Sequence, residues 1–194
     1  MSFEDKIDVV RKKKVWFAQF RYPTPDSLEY FLEENAAEGY SLNPIGETGM
    51  FYYEFTEAKS GKCKFLVDRS GLSKAFYVET MINEEWELMG QSLNCYIWRK
   101  YYEGERPADM NDKVCLTKHG RNTFIGFLIA ALFCLAAVAG LGIGTYIERK
   151  VNGKFFVHHY LYMAEALVIL LIGIYFIRTS IRCFKYWRKM KKGY

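Results

Sequence analysis

The sequence predicts an α+β soluble domain built from two βαββ units, followed by a two-helix transmembrane hairpin. Three observations carry this. Across residues 1–107, short aromatic or alternating runs suited to strands flank two segments with apolar residues at helical spacing. The order of those elements occurs twice, and Gly39-Tyr40-Ser41-Leu42 aligns with Glu85-Trp86-Glu87-Leu88. Residues 123–147 carry no charged side chain and residues 155–177 only one. Each of these runs is long enough to cross a hydrocarbon core of about 30 Å at about 1.5 Å per residue.

In the first unit, Val15 to Arg21 (VWFAQFR) is an apolar, aromatic run expected as a strand. Thr24 is placed to cap a helix, Pro25 fits the first helical position, and Asp26 suits the positive end of the helix dipole. Leu28, Phe31, Leu32 and Ala36 then form one buried stripe, and Gly39 stops the helix because it tolerates a left-handed backbone. Tyr40 to Ile45 and Met50 to Phe55 read as two strands joined across Gly46 to Gly49.

The second unit repeats the order. Cys63 to Asp68 reads as a strand, and Ser70 as the cap of a helix that turns Leu72, Ala75, Val78, Met81 and Ile82 inward. Trp86 to Leu88 begins a strand, Gly90 to Asn94 turns, and Cys95 to Tyr102 is another strand. Leu32 aligns with Val78, and Ala36 with Ile82, at the same offset as the glycine and glutamate above. A ferredoxin-like sheet with extra strands and both helices on one face is the expected arrangement.

Residues 108–122 read as a polar connector. The hairpin covers 123–178, with spans at about 123–146 and 155–177, and 179–194 is a basic cytoplasmic tail. The last 17 residues hold seven basic side chains and no acid, whereas residues 1–122 hold 17 basic and 20 acidic ones. The overall charge of +5 therefore comes from the tail and suits a membrane surface more than nucleic acid. By the positive-inside rule both termini are expected in the cytoplasm of a multi-pass cell-membrane protein, with the short loop outside. Tyr146, Phe155, Tyr160 and Tyr162 are expected at the outer interface, Tyr175 and Trp187 at the inner one. The N-terminus offers no apolar core for a cleavable signal peptide.

Inside the spans, Ala136, Gly140 and Gly144 recur every four residues as a small-residue helix-packing face. The second span of the same chain is the expected neighbour, and a second copy is the rival. Glu165 is the one charged side chain in the second span. It lies roughly 20 Å from Arg178 along a helix, where a carboxylate is costly and is expected to face protein. A proton-linked or ligand-sensing role and a structural one are both open.

No catalytic motif is present, whether a nucleophile elbow, a paired-histidine zinc helix or a phosphate-binding loop. The chain reads as a non-enzyme with no cofactor. The five cysteines are irregularly spaced and read as apolar fillers in a reducing compartment. His158 and His159 are adjacent, and adjacent residues do not share a helix face, so they read as interfacial polar groups rather than a metal site. His119 reads as a headgroup contact, and Arg11 with Lys12, Lys13 and Lys14 as a solvated edge ahead of the first strand. The aromatic strands could stack bases, but the soluble part is net acidic, so nucleic acid is not expected. Core packing is their expected use, with Tyr52, Tyr96 and Trp98 as a candidate partner surface.

Together, Leu28 to Ala36, Gly39-Tyr40-Ser41-Leu42, the aromatic Phe51-Tyr52-Tyr53, Glu84 to Leu88 and Tyr96-Ile97-Trp98-Arg99-Lys100 resemble a bacterial family, domain of unknown function 2812, over roughly residues 13–105. The departure is Glu85, where a glycine is more typical. The resemblance implies a protein of the kind encoded beside PadR-type repressors in Gram-positive bacteria, often ending in membrane spans, and it supplies no catalytic residues. The expected function is a membrane-anchored cytoplasmic binding, sensory or regulatory protein that contacts lipid and either a partner protein or a second copy. An accessory subunit of a transport or export system is the alternative.

Overall fold

A computed structural model describes residues 11–46, 51–59, 61–69, 74–92, 95–108, 113–153 and 157–192. The fold is mixed α+β: two antiparallel three-stranded sheets, followed by two long apolar helices. The elements are β1 (Lys12–Trp16), α1 (Ala18–Arg21), α2 (Pro25–Ala37), β2 (Tyr40–Leu42), β3 (Tyr52–Glu57), β4 (Cys63–Asp68), α3 (Lys74–Asn83), β5 (Glu87–Ser92), β6 (Cys95–Tyr101), α4 (Lys113–Asn152) and α5 (Val157–Lys192). They group into one compact unit up to Leu116 and a second from Thr117 onward.

The first sheet has the order β1-β3-β2 and the second β4-β6-β5, so in each the third strand lies between the other two. Two sheets replace the single extended sheet expected. The joint between them explains why. The N–H of Ile45 donates to the carbonyl of Met89, and Gly90 of β5 lies so close that an added Cβ would sit 2.6 Å from the Ile45 carbonyl oxygen. Arg99 of β6 adds a clamp, donating to Ser41 Oγ at 2.6 Å and the Leu42 carbonyl at 3.2 Å while pairing with Glu87. The sheets therefore meet through the backbone of one loop residue, Ile45, and side chains, not through a shared strand ladder.

One core lies between α2 and both sheets. It joins Leu28, Phe31 and Leu32 to Tyr53 and Phe55 of β3 and to Phe65, Val67 and Ile97 of the second sheet. A second core, Leu66, Tyr77, Met81, Trp86 and Trp98, lies between the second sheet and α3. The second sheet is thus covered on both faces. Its β4 edge is also protected: Glu29 Oε1 accepts from the Val67 N–H at 2.7 Å and Glu33 Oε1 from the Phe65 N–H at 3.2 Å. Those carboxylates satisfy edge donors that would otherwise invite another strand. Lys64 is buried and donates to the Pro107 carbonyl at 2.6 Å, which ties down the segment after β6.

The helix ends follow the sequence closely. Pro25 opens α2, and the Thr24 N–H donates to Ser27 Oγ at 3.3 Å. Gly39 closes it at φ +87°. After α3 the N–H of Trp86 donates to the Met81 carbonyl at 3.0 Å and that of Glu85 to Ile82 at 2.9 Å. This is a Schellman-type end with Glu85 at φ +60°, the left-handed position that glycine fills after α2.

Other expectations are corrected. The first strand is Lys12–Trp16, so Lys12, Lys13 and Lys14 lie within it, and Ala18–Arg21 is a turn of helix rather than strand. Within the strand only Val15 of the expected run faces inward, Phe17 at φ +53° breaks the strand, and Ala18 and Gln19 are buried from the helical turn that follows. Residues 113–122, expected as a connector, already belong to α4, and the basic tail is helical to Lys192. β5 continues through Gly90 with a bulge between Leu88 and Gly90, where a turn was expected. Residues 47–49 of the expected turn, the Ser70 cap and part of the loop between the long helices lie outside the described residues.

Candidate functional site

Aromatic side chains cluster on the open side of the first sheet. Trp16 of β1 stands directly opposite Tyr52 of β3, with ring centroids 5.1 Å apart. Phe17 and Phe20 continue the cluster, at centroid distances of 6.3 Å from Trp16 to Phe17 and 6.0 Å from Phe17 to Phe20. Trp16 is 54% exposed, Phe17 48%, Phe20 41% and the neighbouring Phe51 53%. Lys14 lies 4.7 Å over the Tyr52 ring and pairs with Glu54, so a basic rim borders the aromatic surface.

The backbone holds this surface in place. The Phe17 N–H donates to the Phe51 carbonyl at 2.6 Å, and Phe17 adopts φ +53°, ψ +35°. A bulky side chain in the left-handed region costs about 1–2 kcal/mol. Its effect here is to end β1 and turn Phe17 and Phe20 outward beside Trp16. Exposed aromatic area held by a strained backbone is a mark of a contact surface.

Of the expected partner surface, only Tyr52 lies in this cluster. Trp98 is fully buried, because β6 is the central strand of a sheet covered on both sides. Its Nε1–H donates to the Tyr77 hydroxyl at 3.2 Å, which donates to Asp68 Oδ2 at 2.8 Å. Tyr96 is half-buried against the Tyr77 ring. Burial, reinforced by the Asp68 charge, pushes the Tyr77 hydroxyl well above its ordinary pKa, so it remains a donor. Burial also pushes the thiols of Cys63 and Cys95 up to about 11, so neither is a thiolate at neutral pH. Trp16, Phe17 and Phe20 were missed as surface because an apolar run of that length reads as a buried strand. The signal against that reading is the three lysines before it, which place Trp16 on the same alternating face as Lys12 and Lys14.

In the second unit, α4 and α5 pack along a seam. Phe124 meets Phe184 and Trp187 at 5.2 and 6.2 Å, and Phe127 meets Phe176 at 5.9 Å. A Cβ on Gly173 would lie 3.1 Å from Cys134 Cβ, so Gly173 is a close-approach glycine. A Cβ on Gly140 or Gly144 would meet nothing within 4 Å, and Ala136 is exposed. The expected packing face therefore does not contact the second helix. Ala136 is two residues on from Cys134, a rotation of about 200° that carries it to the opposite side of α4. Glu165 is exposed on α5, so within this chain it does not face protein as expected. The turn end of the pair brings Glu148, His158 and His159 together, although adjacent histidines were expected to diverge.

A family model described as "Protein of unknown function (DUF2812)" matches residues 25–129, from α2 through β2 to β6 and into α4. No curated protein and no solved structure matches the chain.

Proposed function

From the premise that the chain belongs to the DUF2812 family, we propose that it is a membrane-anchored binding protein. A cytoplasmic α+β domain offers the Trp16, Phe17, Phe20 and Phe51 surface to a partner protein, and the α4–α5 hairpin fixes it to the cell membrane. In this reading the two βαββ units are a duplication of one ferredoxin-like module. The observation that carries the anchor is the exposure of the long helices. Only 6% of the most apolar 18-residue window of each is buried within the chain. Water would penalise that much exposed hydrocarbon at about 25 cal/mol per Å², whereas lipid would not. Basic residues from Arg178 onward favour both termini on the cytoplasmic side.

The test is extraction and labelling of the full chain in its own membranes. The protein is expected to resist alkaline carbonate. A single cysteine at position 152 is expected to react with an impermeant reagent from outside, and one at position 192 only after permeabilisation. Release by carbonate would overturn the anchor, and outside labelling at 192 would reverse the topology.

The exposure of Glu165 on the hairpin favours a second reading, an accessory subunit of a transport or export system. An exposed carboxylate within a span is available to another chain's polar group rather than to α4. Glu165→Gln with normal insertion separates the two: partner binding persists in the first reading, and transport fails in the second.

A further inference from the structure

Glu148 lies in the last turns of α4, and His158 and His159 lie in the first turn of α5. Across that turn, His158 Nε2 is 2.9 Å from Glu148 Oε1 and His159 Nε2 is 3.5 Å from Glu148 Oε2. One donor atom from each of the three residues lies within 4.8 Å of the other two. We propose that these three side chains form a binding site for a borderline divalent cation of the zinc class, joining the end of α4 to the start of α5. The inference uses only the second unit and stands apart from the reading of the first.

The donor set selects the ion. Two imidazoles and one carboxylate suit zinc and its neighbours, whereas calcium and magnesium want all-oxygen sites. Around a tetrahedral zinc at about 2.0–2.1 Å from each ligand, neighbouring ligand atoms are roughly 3.3 Å apart. His158 lies 2.9 Å from one carboxylate oxygen and His159 3.5 Å from the other, so a small side-chain adjustment brings one donor atom of each residue to that spacing. Three protein ligands leave one position for water or another donor.

The chain also orients the ligands. His159 is fully buried, while Glu148 and His158 are half-buried, so the site is shielded on one side and reachable on the other. The two imidazole rings stack at 4.4 Å with an interplanar angle of 27°, which turns both Nε2 atoms toward Glu148. Tyr162, one turn on, sets its ring edgewise to His158 at 5.6 Å. Helical periodicity alone would separate adjacent residues by about 100°. The stacking of the rings overcomes that separation.

The experiment uses the full chain in detergent, purified with a histidine-free tag and stripped with chelator. Zn²⁺ is titrated against a chromophoric competitor, and Co²⁺ is added separately to read its absorption. One Zn²⁺ per chain is expected, with no competition from equimolar Ca²⁺ or Mg²⁺. His158→Ala and Glu148→Gln should each weaken binding by about tenfold or more, and His119→Ala should leave it unchanged. Neither weakening change removes a fully buried side chain, and helix content by circular dichroism checks the fold. Absence of stoichiometric zinc, or equal binding in the Glu148→Gln and His158→Ala variants, would overturn the site and leave a plain ion pair.

Discussion

All six residues of β4 are buried, whereas β3 alternates, with Tyr53 and Phe55 inside and Tyr52, Glu54 and Thr56 on a partly open face. The two sheets share a strand order but not a cover. In the second half, α3 closes the outer face through Tyr77 and Met81, with Trp86 of the segment after it, and the matching aromatic position on β6, Trp98, becomes core. In the first half no described element closes the corresponding face, and Trp16, Phe17 and Phe20 remain exposed. The same order of elements thus yields a structural half and a half with surface to spare. The difference comes from where each helix is used: α2 serves the core common to both sheets, and α3 serves only its own.

The sharpest way to break this comparison is at the joint between the halves. Gly90→Ala places a Cβ 2.6 Å from the Ile45 carbonyl oxygen, at a backbone φ of +138°. A loss of about 3 kcal/mol or more in unfolding free energy is expected, read by denaturant melts of the full chain in detergent. A loss under about 1 kcal/mol would mean that the halves do not depend on that approach.

Next in size is the buried network of the second half. Tyr77→Phe removes the hydroxyl between Trp98 and Asp68, at an expected cost of about 1–3 kcal/mol. The second half also has a pH signature. Tyr77, Cys63 and Cys95 all have pKa values raised by folding. Their stabilisation is complete below the unfolded values, 9.0 for the thiols, and is lost as pH rises toward about 11. The melting temperature should fall between pH 8 and pH 10.5, and fall less in Tyr77→Phe. A flat profile would contradict the burial of these groups.

The smallest effect sharpens the comparison in the opposite direction. Glu85 occupies the left-handed position that Gly39 fills in the first half. Glu85→Gly is expected to stabilise the protein by about 1 kcal/mol, since it relieves the left-handed strain at little entropic cost after a helix end. A destabilised variant would show that the Glu85 side chain, 3.6 Å from Lys100 Nζ, matters more than its backbone.

Much of this was legible in the sequence. The helix stripe Leu28, Phe31 and Leu32, the stop at Gly39 and the strands around Phe55, Val67 and Ile97 follow from periodicity and turn chemistry, which act locally. The departure at Glu85 was also visible, and it marks a real left-handed residue. The split into two sheets was not legible, because it rests on a carbonyl contact between Ile45 and β5. Nor was the exposure of Trp16, because alternation fixes which residues share a face but not which face is covered. Gly140 and Gly173 both read as small residues in a span, and only the geometry of the pair tells which one meets the other helix. For the same reason the meeting of His158, His159 and Glu148 could not be read from spacing alone.

We propose that the aromatic face of the first half contacts a partner while the second half is filled for stability. A photo-crosslinking side chain placed at Phe20 in the full chain, within native membranes, tests it most directly, with the exposed Glu105 as control. A discrete protein adduct is expected from position 20, reduced by Trp16→Ala, and none from position 105. Equal adducts at both positions, or only lipid adducts at position 20, would contradict it.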